Sequence, residues 1–309
     1  MSEFLTRRQL LLSAAAGAAG HGLGTADNAF AEPIAEADKS ATDIPGIDVH
    51  GHYGDYIRPQ ANALAKQFMS LSAAGVAERA WQAKIHWTIA SPLQALLPRR
   101  SADPVGGNEH AFRTVPKTDG MRQWVVVDPL KPETYEQAKR MLKSPLCVGI
   151  KMHPEEHDYP ITKYGNELFK FAADHAKVLL FHSGCQNSEP EDYVQLANDH
   201  RDISVILAHL GNGHDDDPSH QVRAIQASKH GNLFVDTSSA RSLLPGLIEW
   251  AVKEIGSGQI VFGTDTPLYY APMQRARIEH ATISFTDKKR ILWDNSARIF
   301  GLKERKSGA

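Results

Sequence analysis

Eight short apolar runs recur along the chain, their starts 25 to 39 residues apart, and this repeat constrains the fold more than any other feature. They read as strands at 46–50, 85–90, 122–127, 147–152, 177–182, 203–208, 232–236 and 259–263. Each interval has room for a strand and a returning helix, which is the length of a parallel crossover unit. Between them, Glu133 to Leu142, Tyr164 to Ala176 and Pro245 to Ile255 place apolar residues at helical spacing. Eight such units close into a single-domain (β/α)8 TIM barrel over residues 46–309. A doubly wound open sheet shares the periodicity. No Gly-x-Gly-x-x-Gly turn follows the first run and no phosphate loop occurs, so a nucleotide-binding sheet has little support.

With 42% hydrophobic and 23% charged residues, the 309-residue chain can build one large core. A formal charge of -2 without a dense Lys/Arg block excludes the electrostatic footprint of a nucleic-acid binder and leaves a small-molecule substrate as the expected partner. A homo-oligomer is allowed. Residues 1–31 read as a twin-arginine signal peptide: Arg7-Arg8 precede a Leu- and Ala-rich stretch, and Ala29-Phe30-Ala31 offers small residues for cleavage. The stretch from Leu10 to Ala19 is too short to span a bilayer. The expectation is export by the twin-arginine machinery, cleavage near Glu32, a periplasmic protein without a membrane anchor, and a linker over residues 32–45. Cys147 starts the fourth run and Cys185 follows the fifth, so they belong to opposite ends of a barrel and should remain free thiols.

In such a barrel chemistry is carried at the C-terminal strand ends. The first run ends in His50-Gly51-His52, whose i, i+2 spacing turns both imidazoles one way. His182 ends the fifth run, His209 the sixth, and Asp265 follows the eighth. A polar residue closing an apolar run is costly without a partner. Taken alone, a His-x-His pair is weak and a strand-terminal histidine commonly caps a core. Together the four strand ends form a ligand set suited to a divalent metal: zinc first, with manganese or iron as alternatives. Asp265 can bind the metal and carry a proton, and His209 can polarise a carbonyl or act as an acid.

These pieces also resemble a known family. Ile47-Asp48-Val49-His50-Gly51-His52, Gly149-Ile150-Lys151-Met152-His153-Pro154, Phe181-His182-Ser183-Gly184, Leu207-Ala208-His209-Leu210-Gly211, Phe262-Gly263-Thr264-Asp265-Thr266-Pro267 and Asn295 to Leu302 are similar in content and order to the amidohydrolase superfamily. The likeness is to its amidohydrolase-related (amidohydrolase 2) branch, which includes the aminocarboxymuconate semialdehyde decarboxylase-like metal enzymes. The resemblance implies a distorted TIM barrel, His50, His52, His182 and Asp265 as metal ligands, and His209 as the functional histidine after strand six. Lys151 has three readings: a carboxylated bridge between two metals, a substrate-binding residue together with His153, or a structural ion-pair residue. One metal per chain is favoured over two. Arg241 is a candidate for an anionic substrate, and Tyr53, Tyr56, Tyr269 and Tyr270 for the entrance. The run His214 to Asp217 reads as a solvated loop and helix cap.

Hydrolysis of a C–N or C–O bond, as in a cyclic amide or lactone, by a metal-activated water is the first expectation. Metal-dependent non-oxidative decarboxylation is the alternative, and a non-catalytic periplasmic ligand-binding barrel is the third.

Overall fold

A computed structural model describes residues 40–239 and 241–305. The expected signal peptide and most of the expected linker lie outside the described residues. Eight parallel strands run in sequence order: β1 (Gly46–Tyr53), β2 (Ile85–Pro92), β3 (Met121–Val126), β4 (Cys147–Met152), β5 (Val178–Phe181), β6 (Ser204–Leu207), β7 (Leu233–Asp236) and β8 (Ile260–Val261). Helices fill the intervals, so the TIM barrel expected from the spacing is observed. The amide of Val49 donates to Phe262 O at 2.9 Å, Asp265 N to His50 O at 2.7 Å and His52 N to Thr266 O at 2.6 Å, which brings β8 back to β1.

Two layers of apolar side chains follow from the strand alternation. Inside the barrel, Ile47, Val49, Ile89, Trp124, Val178, Leu180, Ile206, Phe234 and Val261 form one cluster, to which Phe300 and Leu302 of the C-terminal segment pack. Trp124 is fully buried there, and its indole N–H donates to Val49 O at 2.8 Å. Ile150, Met152, Leu179, Phe181, Val205, Leu207 and Val235 face outward into a larger cluster with the helices. The helix Ile161–His175 shows why its segment is helical: Ile161, Gly165, Leu168, Phe169 and Ala172 fall on one buried stripe.

The strand boundaries differ from the apolar runs in instructive ways. The amide of Phe262 donates to Ile291 O at 3.0 Å instead of joining a ladder, so β8 ends early. β1 and β2 instead extend to Tyr53 and Pro92, beyond their apolar stretches. Residues 41–43 form a short 3-10 turn and Ile44 is buried, so the end of the expected linker packs on the barrel. Cys147 and Cys185 are free thiols. Among the described residues no helix is long and apolar enough to cross a membrane.

Candidate active site

The C-terminal ends of β1, β4, β5, β6 and β8 enclose a cavity of about 630 Å³. Its lining includes His50, His52, His153, His182, His209 and Asp265, all singled out from the sequence. Gly51 permits the approach of β1 to β2, because a Cβ there would lie 2.4 Å from Thr88 Cγ2. His209 and Asp265 both hold left-handed backbone, with φ of 72° and 57°. Such a conformation costs a non-glycine residue roughly 1–3 kcal/mol and recurs at functional sites.

The hydrogen bonds define which nitrogen each imidazole offers. His50 Nδ1 lies 2.8 Å from Asp236 Oδ2, and His52 Nδ1 lies 3.1 Å from the Ser91 carbonyl. Both partners are acceptors, so each Nδ1 carries the hydrogen and each Nε2 presents a lone pair. Those lone pairs converge: Asp265 Oδ1 is 3.1 Å from His52 Nε2 and 3.8 Å from His50 Nε2. The three ligand atoms lie within 4.8 Å of one another, a donor set that fits a divalent cation.

Lys151 is fully buried and sits 3.0 Å from His50 Nε2 through its Nζ. Burial brings its ammonium down to about 8, against the attraction of Asp236 and Asp265. Burial likewise holds His50, His153 and His209 well below the usual histidine range, and His182 at about 3, with Lys151 adding to each shift. These rings are therefore neutral at neutral pH, the form that can accept a cation. Beneath them, Asp48 accepts from His50 N and Thr264 N at 3.0 Å each and from Thr264 Oγ1 at 2.6 Å, and burial pushes its carboxyl up to about 7.

His182 stands apart from the His50, His52 and Asp265 group. Its Nδ1 meets His209 Nε2 at 3.1 Å, its Nε2 meets Cys185 Sγ at 3.2 Å, and its ring stacks on His153 with centroids 4.1 Å apart. A ligand role for His182 requires it to release one of these partners. His209 Nδ1 meets Ser238 Oγ at 2.8 Å, and Ser238 Oγ in turn donates to Asp236 Oδ1. Tyr56 and Tyr269 line the cavity as expected, whereas Tyr53 faces a neighbouring groove and Tyr270 is exposed. The side chain of Arg241 lies outside the described residues.

From the sequence Asp236 and Ser238 were expected only to shape the pocket after strand seven, and Cys185 and the ion pair of Arg58 with Glu156 at the rim were not singled out as site residues. Asp236 was legible by the rule applied to the others, since it is a lone carboxylate closing the apolar run of β7. The run His214 to Asp217 forms a loop whose acids are engaged: Asp215 meets His220 Nε2 at 3.0 Å, and Asp217 meets Arg223 at 2.6 Å. Asp217 accepts from Ser219 N at 2.8 Å just ahead of the helix His220–Ala227.

Comparison with known proteins agrees with this architecture. The chain matches the model of the family described as amidohydrolase over residues 47–302. Among solved structures it is similar to 5-carboxyvanillate decarboxylase from Sphingomonas paucimobilis (13% identity, TM-score 0.63, covering 84% of this chain and 100% of the other). A dihydroxybenzoic acid decarboxylase from a Polaromonas species, with bound manganese and 2-nitroresorcinol, aligns with 15% identity and TM-score 0.61 over 84% and 97% of the two chains. A putative 2-pyrone-4,6-dicarboxylic acid hydrolase from Pseudomonas putida gives 14% identity and TM-score 0.59 over 84% and 98%. At these identities the likeness concerns the fold. No curated protein sequence matches the chain.

Proposed function

Since this chain belongs to the amidohydrolase family, we propose that it is a metal-dependent enzyme that removes carbon dioxide, without oxidation, from a small aromatic carboxylate. The ranking from sequence put hydrolysis first. The observation that favours decarboxylation instead is an apolar part of the cavity lining: Leu93, Leu96 and Leu97 pack with Tyr56 and Leu268, and Met69 also lines the cavity. A flat ring fits such a lining, and an apolar surrounding disfavours a carboxylate relative to neutral carbon dioxide. The decarboxylases with a similar fold, named above, support the reading.

His50, His52 and Asp265 would hold a divalent cation, with manganese, zinc and iron all compatible with two imidazoles and a carboxylate. When bound, the cation supplies Lewis-acid attraction for the substrate's oxygen atoms. Asp236 and Ser91 orient the two imidazoles. The leucines would shield one face of the substrate ring from water. The C–C bond breaks, its electron pair stays on the ring carbon, and that carbon takes up a proton delivered from solvent by way of Asp265, so the products are the arene and carbon dioxide. His209, stacked 4.9 Å from His50, orients the substrate from the other side. The same proposal assigns this reaction to the periplasm, supported by the twin arginine Arg7-Arg8 in the sequence.

The test is carbon dioxide release by the manganese- or zinc-loaded protein from 2,6-dihydroxybenzoate and 5-carboxyvanillate, with Asp265→Asn lowering the rate about 10²–10⁴-fold. Hydrolysis of 2-pyrone-4,6-dicarboxylate with no carbon dioxide from either aromatic acid would return the assignment to hydrolysis.

A further inference from the structure

Beside the active site lies a second, larger groove of about 1020 Å³ that the reaction above does not use. One edge carries two cations, Arg113 and Lys117. His110 and Arg113 lie on the helix Pro104–Thr114, and Lys117 on the 3-10 turn that continues it; all three line the groove and are exposed. Their spacing of three and four residues puts them on one helical face, where two like charges repel unless something negative lies between them. The acids near them in sequence are engaged elsewhere: Glu109 with Arg140 and Gln137, and Asp119 with Arg305. Among the described residues Arg113 and Lys117 form no ion pair, and Asp55 is the one acid lining the groove. Apolar side chains, Ile57, Leu71, Ala73 and Pro92, also line the groove alongside Ser70, Ser72 and Gln94, and Tyr53 stands 5.8 Å from His110 between ring centroids.

We propose that this groove binds a small organic anion, its hydrocarbon part on Ile57 and Leu71 and its acid group between Arg113 and Lys117. A bare inorganic ion would leave the apolar side chains unused, and an uncharged ring would leave the two cations unpaired. The groove is separate from the metal cavity but shares a wall with it. Along residues 53–58, Gly54, Asp55 and Ile57 face the groove while Tyr56 and Arg58 face the cavity. That strap is fixed by Gly54 N to Leu71 O at 2.7 Å and Tyr56 N to Ser70 Oγ at 2.9 Å. The proposal does not depend on the reaction assigned to the cavity.

Titration of the full chain with benzoate at low ionic strength tests it, followed by calorimetry and by the ring proton resonances of His110. The expected result is saturable binding that shifts His110, weakens at least tenfold in the double variant Arg113→Gln/Lys117→Gln, persists in Arg58→Gln, and is absent for benzamide. Because the cavity is itself proposed to take aromatic carboxylates, the groove is read at His110: a His110 shift that survives the double variant, or is lost in Arg58→Gln, overturns the proposal. Equal binding of benzamide, or no heat and no shift at His110, overturns it as well.

Discussion

Asp236 grips two parts of the site at once: Oδ2 lies 2.8 Å from His50 Nδ1, and Oδ1 accepts the His209 backbone amide at 3.0 Å. The carboxylate therefore sets the tautomer of one candidate ligand and the position of the left-handed residue across from it. Replacing it with Asn keeps the shape and removes the charge. We expect Asp236→Asn to hold the metal about 10–100-fold more weakly, as partners behind ligand histidines generally do, measured by competition with a chelating dye. Unchanged affinity would show that His50 is oriented without it.

Lys151 and the number of metals are tested together. Lys151 Nζ lies 3.0 Å from His50 Nε2, against one of the candidate ligand atoms. About one metal per chain is expected by elemental analysis, in the wild type and in Lys151→Ala alike. Two metals falling to one in the variant would establish a bridging lysine.

The pH dependence of stability has a definite sign at His157, which is not one of the candidate ligands and bonds to Ala95 O at 3.0 Å. Burial lowers this ring from the ordinary value of about 6.5. Below that value the unfolded chain takes up a proton that the folded chain resists, so stability is present above about 6.5 and declines as the pH falls. Buried His50, His153, His182 and His209 act in the same direction. Denaturant midpoints should fall from pH 7 to pH 5, less steeply in His157→Gln. A midpoint rising toward pH 5 would contradict this.

Trp124 fills the barrel interior and donates to Val49 O. Its replacement by Ala should cost about 3–5 kcal/mol in denaturant unfolding, because the closed strand ring around it cannot collapse into the void. A loss below about 1 kcal/mol would mean that the interior repacks.

For the amino terminus, the twin arginine predicts that the exported protein begins near Glu32, to be read by terminal sequencing of periplasmic material. Recovery of the full-length chain from the cytoplasm alone would remove the periplasmic assignment.

The barrel was legible in the sequence because the strands are largely buried on both faces, so each appears as an apolar run, and the runs of β1, β5, β6 and β8 are closed by candidate site residues. His50, His52 and Asp265 were found by that interruption, and the structure brings them together. His182 was found by the same signal, yet its neighbours His209 and Cys185 depend on loop conformations that no periodicity encodes. Arg58 and Glu156 meet across the mouth from the ends of β1 and β4, and a rim contact of that kind leaves no trace in local pattern. Asp236 was visible but undervalued, since its partner is another side chain rather than a substrate.

The direct bond from Asp265 N to His50 O joins the last strand to the first. The donor set for the cation is thus complete only when the ring has closed, and neither half of the chain can assemble it alone. If the proposed cation binds there, its retention would report on completion of the chain: a chain that stops short of β8 lacks the carboxylate, and a misdocked β8 would leave the two imidazoles without it. For a protein expected to cross a membrane already folded, the same ion that equips the site would mark which molecules are finished.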